Sequence, residues 1–215
     1  MSERELIDEL ISASKELYDR KLIHASGGNT SVRDGDTVLI TQTGAELGKL
    51  TDAEIVKVDL DGNVLQGGVP SKEMGMHLAM YQARENARAV VHVHPTYAIA
   101  FSTLIPEETA SSVPPYTAAF YVRAGRVPMI GYHPSGAHSL HVAVDALAPD
   151  YHAILLRQHG LIVAGADMSS AVGVVEEVEQ CCQIAVATGQ KGDSLTGAQC
   201  QAIDDALSRS WKNDN

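Results

Sequence analysis

Two Asp-Gly turns constrain the fold of this chain more than any other feature of its 215 residues. Each turn separates two strand-like runs: Asp34-Gly35-Asp36 lies between residues 30–33 and 37–41, and Asp61-Gly62-Asn63 lies between residues 56–60 and 64–65. An Asp-Gly pair between such runs is the strongest short-range signal for a β-hairpin. We therefore expect two hairpins within the first third of the chain.

Helical patterns alternate with further strand-like runs along the rest of the chain. Apolar residues recur at helical spacing over residues 3–20, where Ser2 and Glu5 would form a capping box. Further helices are predicted at residues 71–84 with Ser71 as the N-cap, at 96–104, at 168–188 and at 197–210, and strands at 89–94, 154–156 and 161–163. Residues 106–134 contain five prolines and show no clear pattern. We expect one α/β domain over residues 1–215, without repeats or linkers.

The negative net charge of the chain limits the kinds of molecule that it is expected to bind. Lys and Arg number 16 against 27 Asp and Glu, which gives a net charge of −11 and a pI near 5.2. Nucleic acids and anionic membranes both require a basic face, so neither is expected as a partner. A small anionic substrate remains compatible with this charge, because one pocket can be positive on a negative protein.

Cysteine usage and the N-terminal sequence indicate a cytoplasmic protein. The cysteines are Cys181, Cys182 and Cys200, an odd number with two adjacent, which argues against a disulfide framework and fits a reducing compartment. The sequence MSERELIDEL lacks the basic segment and apolar core of a signal peptide. No run approaches the length of about 18 apolar residues that a membrane span needs.

Three histidines are candidate metal ligands. His92 and His94 lie two residues apart in a predicted strand, so their side chains point to the same face and can reach one ion. His159 precedes Gly160 in a turn between two apolar runs. Three neutral imidazoles suit zinc and would leave one coordination position open, as in catalytic sites. Taken singly, each could equally be an ordinary strand-end or surface histidine; we interpret His24, His77, His133, His138, His141 and His152 as surface or core residues.

A second candidate group lies at the start of the predicted helix 71–84. Glu73 is either a carboxylate that complements the helix dipole or a general acid/base. The Ser71 hydroxyl and free backbone N–H groups at this helix N-terminus would attract an anion, and Lys72 would add a positive charge. The glycine loops Gly27-Gly28-Asn29 and Thr43-Gly44 could present further N–H groups to a phosphate, although such loops commonly serve only turns.

Taken in order, six motifs resemble the class II aldolase/adducin family, the group of L-fuculose-phosphate aldolase. They are GGNTSVR (27–33), ITQTGAELGKL (40–50), PSKE (70–73), VVHVHP (90–95), RQHGLIVAG (157–165) and EEVEQ (176–180), and the resemblance covers about residues 5–190. It implies a single α/β (α+β-like) domain with a mostly antiparallel central sheet, flanking helices, and a homotetramer with active sites at subunit interfaces.

The resemblance also implies roles for individual residues. His92, His94 and His159 would hold Zn²⁺, or another divalent metal such as Mn²⁺ or Co²⁺, and Glu73 would be the acid/base, able to approach the metal. The substrate phosphate would be held by Asn29, Thr43, Gly44 and Ser71.

Within the family, several segments look most like 3-oxo-tetronate 4-phosphate decarboxylases. These are the PSKE form, the TGAELGKL loop, RAGRVP (123–128) and Leu195-Thr196; fuculose-type aldolases more often carry Ser where Lys72 stands. The chain departs from the decarboxylase pattern at Ala119, where a tyrosine is usual, and at YHPSG (132–136), where YYRPG is usual. The role of that tyrosine, an acid supplied by the neighbouring subunit, would either pass to Tyr116 or Tyr121 or be absent from this chain.

The implied activity is metal-dependent cleavage of a carbon–carbon bond through a metal-stabilised enediolate. Loss of carbon dioxide from 3-oxo-tetronate 4-phosphate leaves the enediolate of dihydroxyacetone phosphate, and this decarboxylation is the expected reaction. Retro-aldol cleavage of a ketose 1-phosphate leaves the same enediolate plus an aldehyde and is the main alternative. A sugar-phosphate epimerase and a non-enzymatic adducin-like module are further alternatives. An inert module, however, has no need of the three histidines, Glu73 and the phosphate loops together.

Overall fold

The computed structural model describes residues 1–106 and 111–209. Its centre is one eight-stranded sheet. The strands are β1 (Asn29–Asp34), β2 (Thr37–Thr41), β3 (Ile55–Asp59), β4 (Val64–Gln66), β5 (Ala89–Val93), β6 (Met129–Ile130), β7 (Ala153–Leu156) and β8 (Gly160–Gly165). They lie in the order β4-β3-β2-β1-β5-β8-β7-β6, so the two halves of the chain meet where β1 pairs with β5.

Both predicted hairpins are present in the sheet. Strand β1 pairs with β2 from Ser31↔Ile40 to Asp34↔Thr37, and β3 pairs with β4 in the same antiparallel sense. Among the paired strands of the described residues, β6 and β7 alone run parallel. The predicted mixed α/β fold around a mostly antiparallel sheet is therefore confirmed.

Helices cover both faces of the sheet. They are α1 (Glu3–Asp19), α2 (Met74–Ala83), α3 (Thr96–Ser102), α4 (Ala118–Ala124), α5 (His138–Leu147), α6 (Met168–Ala187) and α7 (Gly197–Ala206). Helix α1 begins at the predicted capping box of Ser2 and Glu5. Within the described ranges no helix combines the length and the apolar character that crossing a bilayer requires. Cys181, Cys182 and Cys200 are free thiols, as expected.

Helix α2 starts later than the sequence predicts, and Ser71 is not its N-cap. The helix begins at Met74, and Glu73 occupies the N-cap position. The Ser71 N–H donates to Thr41 O at 3.1 Å, which ties Ser71 to the end of β2 before the helical turn starts. This hydrogen bond joins segments 30 residues apart, so the local sequence pattern could not indicate it. The N-cap is therefore Glu73 instead of Ser71.

The segment without a clear pattern, residues 106–134, contains α4 and β6. Residues 107–110 of this segment lie outside the described residues, as does residue 210 at the end of the predicted helix 197–210. Helix α7 ends at Ala206 and α3 at Ser102, which shortens both predicted helices.

Strand β5 is buried on both faces, because two apolar cores meet at it. Val91 and Val93 point into the core shared with α1, α3, α4 and α6, whereas Val90 points into the core shared with α2 and α5. His92 lies on the same face as Val90 and is fully buried. The sheet thus presents His92 toward α2, the helix that carries Glu73 at its start.

Candidate active site

The side chains of His92, His94 and His159 converge at one end of β5 and β8. Strand β5 pairs with β8 through His92↔Ile162 and Val93↔Leu161, so the end of β5 lies beside the turn that precedes β8. The ring centroids are 4.9 Å apart for His92 and His94, 4.9 Å for His92 and His159, and 5.2 Å for His94 and His159. One nitrogen from each ring lies within 4.8 Å of the others. The structure therefore brings together all three predicted ligands.

Two glycines permit this close approach. A Cβ atom on Gly27 would lie 2.6 Å from His94 Nδ1, and a Cβ atom on Gly160 would lie 2.3 Å from Val93 O and 2.8 Å from His94 Cδ2. Contacts below 3.0 Å are not tolerated there, so larger residues would displace His94 or β5. Gly27, considered from the sequence as part of a phosphate loop, has a packing role beside His94.

Glu73 faces the histidines from the start of α2. Its Oε2 lies 3.2 Å from His92 Nε2 and its Oε1 lies 3.2 Å from His159 Nε2. Two further donors bind the carboxylate: Asn29 Nδ2 donates to Oε2 at 2.9 Å and Ser135 Oγ donates to Oε1 at 2.5 Å. Burial raises the pKa of Glu73, but the nearby imidazoles of His159 and His92 and the Ser135 hydroxyl outweigh burial and hold the pKa well below its usual range. Glu73 is therefore an ionised carboxylate.

The donor set of this cluster fits a divalent metal ion. His92 Nδ1 lies 3.1 Å from Leu161 O, which can only accept, so Nδ1 carries a proton and Nε2 is the ring nitrogen that points into the cluster. Nε2 lies 3.2 Å from the Glu73 carboxylate, and imidazole nitrogen together with carboxylate oxygen is a donor set that divalent metals take. Burial, with help from His92 and His159, lowers the pKa of His94 to about 3, so His94 is neutral and able to bind metal.

The predicted phosphate-binding residues lie on adjacent backbone segments. Thr43 N–H donates to Val69 O at 3.0 Å, and this bond holds the exposed loop with Gly44 alongside Ser71. The expectation of free N–H groups at the start of α2 is wrong for two of them. Glu73 N–H donates to Ser71 Oγ at 3.3 Å and Met74 N–H donates to Ser71 O at 2.9 Å, because the turn before the helix satisfies its own donors.

Residues 8–186 match the family described as Class II Aldolase and Adducin N-terminal domain. The chain belongs to the class II aldolase and adducin family. It is 32% identical over 206 residues to 3-oxo-tetronate 4-phosphate decarboxylase of Haemophilus influenzae, which covers 95% of this chain and 97% of the relative. It is 37% identical over 178 residues to L-fuculose phosphate aldolase of Methanococcus maripaludis, which covers 83% of this chain and 94% of the relative.

A solved structure agrees with this assignment. YgbL of Klebsiella pneumoniae, described as an aldolase, epimerase or decarboxylase, superposes with a TM-score of 0.90 at 31% identity, over 94% of this chain and 99% of that one. Decarboxylase and aldolase relatives stand at comparable identity, so the comparisons establish the family and leave the choice of reaction to the residues of the site.

Two residues that bond the candidate site are not indicated by the motifs. Ser135, within the segment YHPSG, binds the carboxylate of Glu73 across 62 positions of sequence. His77, which the sequence predicts to be a surface or core histidine, is fully buried and bonds Asn29 at 2.6 Å. The spacing of Glu73 and His77, four residues apart on one helix face, was the available signal.

Lys72 lies at the edge of the site and is free to bind an anion. Its side chain is exposed and its stem runs past Gly136, whose Cβ position would be 3.1 to 3.3 Å from the Lys72 methylenes. Within residues 1–106 and 111–209 no ion pair or hydrogen bond engages the Lys72 ammonium group.

The two tyrosines considered as acids lie away from the histidines of their own chain. Tyr121 is buried and its hydroxyl donates to Asp204 at 2.9 Å, an arrangement that does not suit an acid offered to a neighbouring subunit. Burial raises the pKa of Tyr121 further. Tyr116 is half-buried beside Gly192 and makes no contact with the histidine cluster that the described residues reveal.

Proposed function

We propose that this protein is a zinc-dependent carbon–carbon lyase that decarboxylates 3-oxo-tetronate 4-phosphate to dihydroxyacetone phosphate. The observation that carries the proposal is the cluster of His92, His94, His159 and Glu73, together with the adjacent Lys72, which none of the described residues pairs. The decarboxylase relative, which aligns with nearly the whole chain, supports the same reaction.

His92, His94 and His159 would hold the metal ion, with Glu73 close enough to approach it. When bound, a divalent cation supplies positive charge beside the ketone and hydroxyl oxygens of the substrate, where negative charge develops as the carbon–carbon bond breaks. Neutral imidazole nitrogens suit Zn²⁺, and Mn²⁺ or Co²⁺ are accommodated by the same donors. His92 is oriented for this task by its bond to Leu161 O.

The substrate has two anionic ends, and the site offers a separate region for each. Asn29, Thr43, Gly44 and Ser71 would bind the phosphate, with the exposed loop of Thr43 and Gly44 closing against Ser71. Lys72 would bind the carboxylate that leaves as carbon dioxide. A fuculose-type substrate has no carboxylate at this end, which is why a positive charge beside Glu73 favours the decarboxylase reaction.

Glu73 would move the proton that the reaction requires. The ionised carboxylate accepts the proton of the substrate hydroxyl on C2. The bond between C1 and C2 then breaks and carbon dioxide leaves. The electron pair of that bond forms the double bond between C2 and C3, and the electron pair of the C3 carbonyl moves onto the C3 oxygen. Glu73 returns the proton to carbon C2, which restores the ketone at C3. The C2 oxygen regains a proton from water, and the hydroxide that remains combines with the released carbon dioxide as bicarbonate. The product is dihydroxyacetone phosphate.

Aldol cleavage of a ketose 1-phosphate is the second candidate. The L-fuculose phosphate aldolase relative supports it, and so do Ala119 and the loop 132–136, where the chain departs from the decarboxylase pattern. The same residues would serve both reactions, which differ only in the group that leaves, carbon dioxide or an aldehyde.

A sugar-phosphate epimerase would need the same cluster of three histidines and Glu73. An adducin-like binding module would have no use for that cluster.

The proposal includes a homotetramer with sites at subunit interfaces, in the cytoplasm. The described part of one subunit supplies three histidines and one carboxylate but no contact of Tyr116 or Tyr121 with them. An acid from a neighbouring subunit would complete the site. Tyr116 is the better candidate, because the Tyr121 hydroxyl is already bonded to Asp204.

Zinc-loaded protein is expected to convert 3-oxo-tetronate 4-phosphate into dihydroxyacetone phosphate, measured by a coupled glycerol-phosphate dehydrogenase assay. Chelation should abolish the activity and added Zn²⁺ should restore it. If metal-replete protein leaves this substrate intact but cleaves L-fuculose 1-phosphate, the protein is an aldolase and the proposed decarboxylase function is wrong.

Lys72→Met is expected to weaken use of the carboxylate-bearing substrate. Loss of a charge-assisted hydrogen bond is worth about 1.5–3 kcal/mol, so kcat/KM should fall roughly 10- to 100-fold, and Lys72→Arg should retain more activity. Steady-state kinetics measure the effect. The matched control is Lys15→Met, which removes an exposed lysine paired with Asp19 on α1. Equal activity of the two methionine variants would remove Lys72 from the site.

A further inference from the structure

A line of buried polar side chains lies directly behind Glu73, between β1 and α2. Asn29 Nδ2 donates to Glu73 Oε2 at 2.9 Å, and Asn29 Oδ1 lies 2.6 Å from His77 Nε2. Ser31 Oγ lies 2.7 Å from His77 Nδ1 and 2.8 Å from Tyr81 Oη. Asn29 is 5% exposed, His77 and Ser31 are 0% exposed and Tyr81 is 1% exposed. Water is therefore excluded from every link.

The periodicities of the two elements create this line. Asn29 and Ser31 are alternate residues of β1 and share one face of the sheet. Glu73, His77 and Tyr81 follow at intervals of four residues and form one stripe of α2, starting at its N-cap. Packing α2 onto β1 sets the helix stripe against the strand residues, so each polar atom meets a partner.

The direction of these hydrogen bonds follows from the placement of the Asn29 amide. Its Nδ2 group faces Glu73 and donates to the carboxylate, whereas its Oδ1 faces His77 and can only accept. His77 must then carry its proton on Nε2, which leaves Nδ1 to accept from the Ser31 hydroxyl. The Ser31 oxygen in turn accepts from Tyr81. His77 is neutral in this arrangement, since burial lowers its pKa to about 3.

We propose that His77 is a positioning residue for the reaction, acting on Glu73 through Asn29. Its Nε2–H group fixes which way the Asn29 amide faces. Without that donor, the amide can rotate by half a turn and present its oxygen to the carboxylate, which repels it. This inference rests on the acid/base role proposed for Glu73.

His77 is better suited to this task than to simple packing. Its ring is rigid and bonds Asn29 and Ser31 at 2.6 and 2.7 Å, so its position is fixed at two points. Asn29 itself pairs with His92 in the sheet, so the amide that His77 orients is carried by the strand next to the histidine cluster. Such outer partners commonly change activity by roughly 10- to 100-fold when removed.

The test compares His77→Leu, His77→Gln and Ser14→Ala in the zinc-loaded protein. Leucine removes both bonds, whereas the glutamine amide places a nitrogen donor near the Nε2 position. Ser14 is the matched control because its buried hydroxyl lies 2.7 Å from Thr30 Oγ1, on the opposite face of β1 from Asn29. We expect His77→Leu to lower kcat about 10- to 100-fold with metal content unchanged, His77→Gln to recover most of kcat, and Ser14→Ala to keep it.

A purely structural role predicts a different pattern, in which kcat of His77→Leu falls no further than that of Ser14→Ala or metal is lost in parallel. Either result, or equal loss in the leucine and glutamine variants, overturns the proposal. Neutron diffraction on crystals of the zinc-loaded protein gives a readout independent of substrate: a deuteron on His77 Nε2 supports the proposal and one on Nδ1 alone overturns it. If the wild-type protein turns over no candidate substrate, the proposed function fails and the neutron result still decides the inference.

Discussion

Glu73→Gln lowers kcat by a factor of about 10² to 10⁴, the range that general acid–base catalysis contributes, while the protein keeps its metal. Glutamine has the shape of glutamate and can still accept from Asn29, but it can neither take the proton from the substrate hydroxyl nor return it to carbon. The three histidines that would hold the metal are unchanged. Steady-state kinetics with 3-oxo-tetronate 4-phosphate and elemental analysis of the same preparation measure the two effects.

Glu179→Gln is the control for removing a half-buried, hydrogen-bonded carboxylate. Glu179 accepts the N–H groups of Tyr97 and Ala98 at 2.9 and 2.8 Å, at the start of α3 and outside the cluster, so its substitution should affect stability and leave kcat unchanged. Full activity of Glu73→Gln would remove the acid/base assignment. Loss of metal from that variant would instead make Glu73 an obligatory ligand.

His94→Ala is expected to lose its metal and, with it, all measurable turnover. His94 is one of three imidazoles around the proposed ion, and alanine leaves two imidazoles and a carboxylate. Substituting even the outer partners of a metal ligand weakens binding by roughly 10- to 100-fold, so losing a ligand should cost more than that. Elemental analysis of purified protein after dialysis against metal-free buffer measures the occupancy.

His152→Ala is the matched control for His94→Ala. His152 is a partly buried histidine whose Nε2 donates to Arg123 O at 3.0 Å. This hydrogen bond involves none of the residues of the cluster. Its alanine variant should keep wild-type metal content. Wild-type occupancy in His94→Ala would show that the ion is held elsewhere, and the proposed role of all three histidines would fall with it.

The parts of the fold that depend on local pattern could be predicted from the sequence. Asp-Gly turns specify hairpins because few other residues fit their backbone, and both hairpins are present. The spacing of His92 and His94 placed them on one face of a strand for the same local reason. His159 joins them because β5 pairs with β8. The spacing of the histidines could not indicate this pairing, and only the family resemblance grouped His159 with His92 and His94.

The predictions that were wrong or missing concern contacts between distant segments of the chain. Ser71 has the side chain of a good N-cap, but its N–H is claimed by Thr41 in β2, so the helix starts at Met74. Ser135 reaches Glu73 from a loop without regular pattern, and no periodicity could indicate that bond. The burial of His77 agrees with one of its two predicted placements, surface or core. Its bond to Asn29 could not be predicted, because the two residues lie 48 positions apart.

The burial of β5 on both faces has a consequence for how the protein opens. Its backbone is bonded to β1 on one side and β8 on the other, so the amide hydrogens of residues 90–92 should exchange with solvent only on global unfolding. Residues 132–136, largely exposed, should exchange by local opening many times faster. We therefore expect the bond between Ser135 and Glu73 to open locally, while the backbone that carries His92 stays protected from exchange.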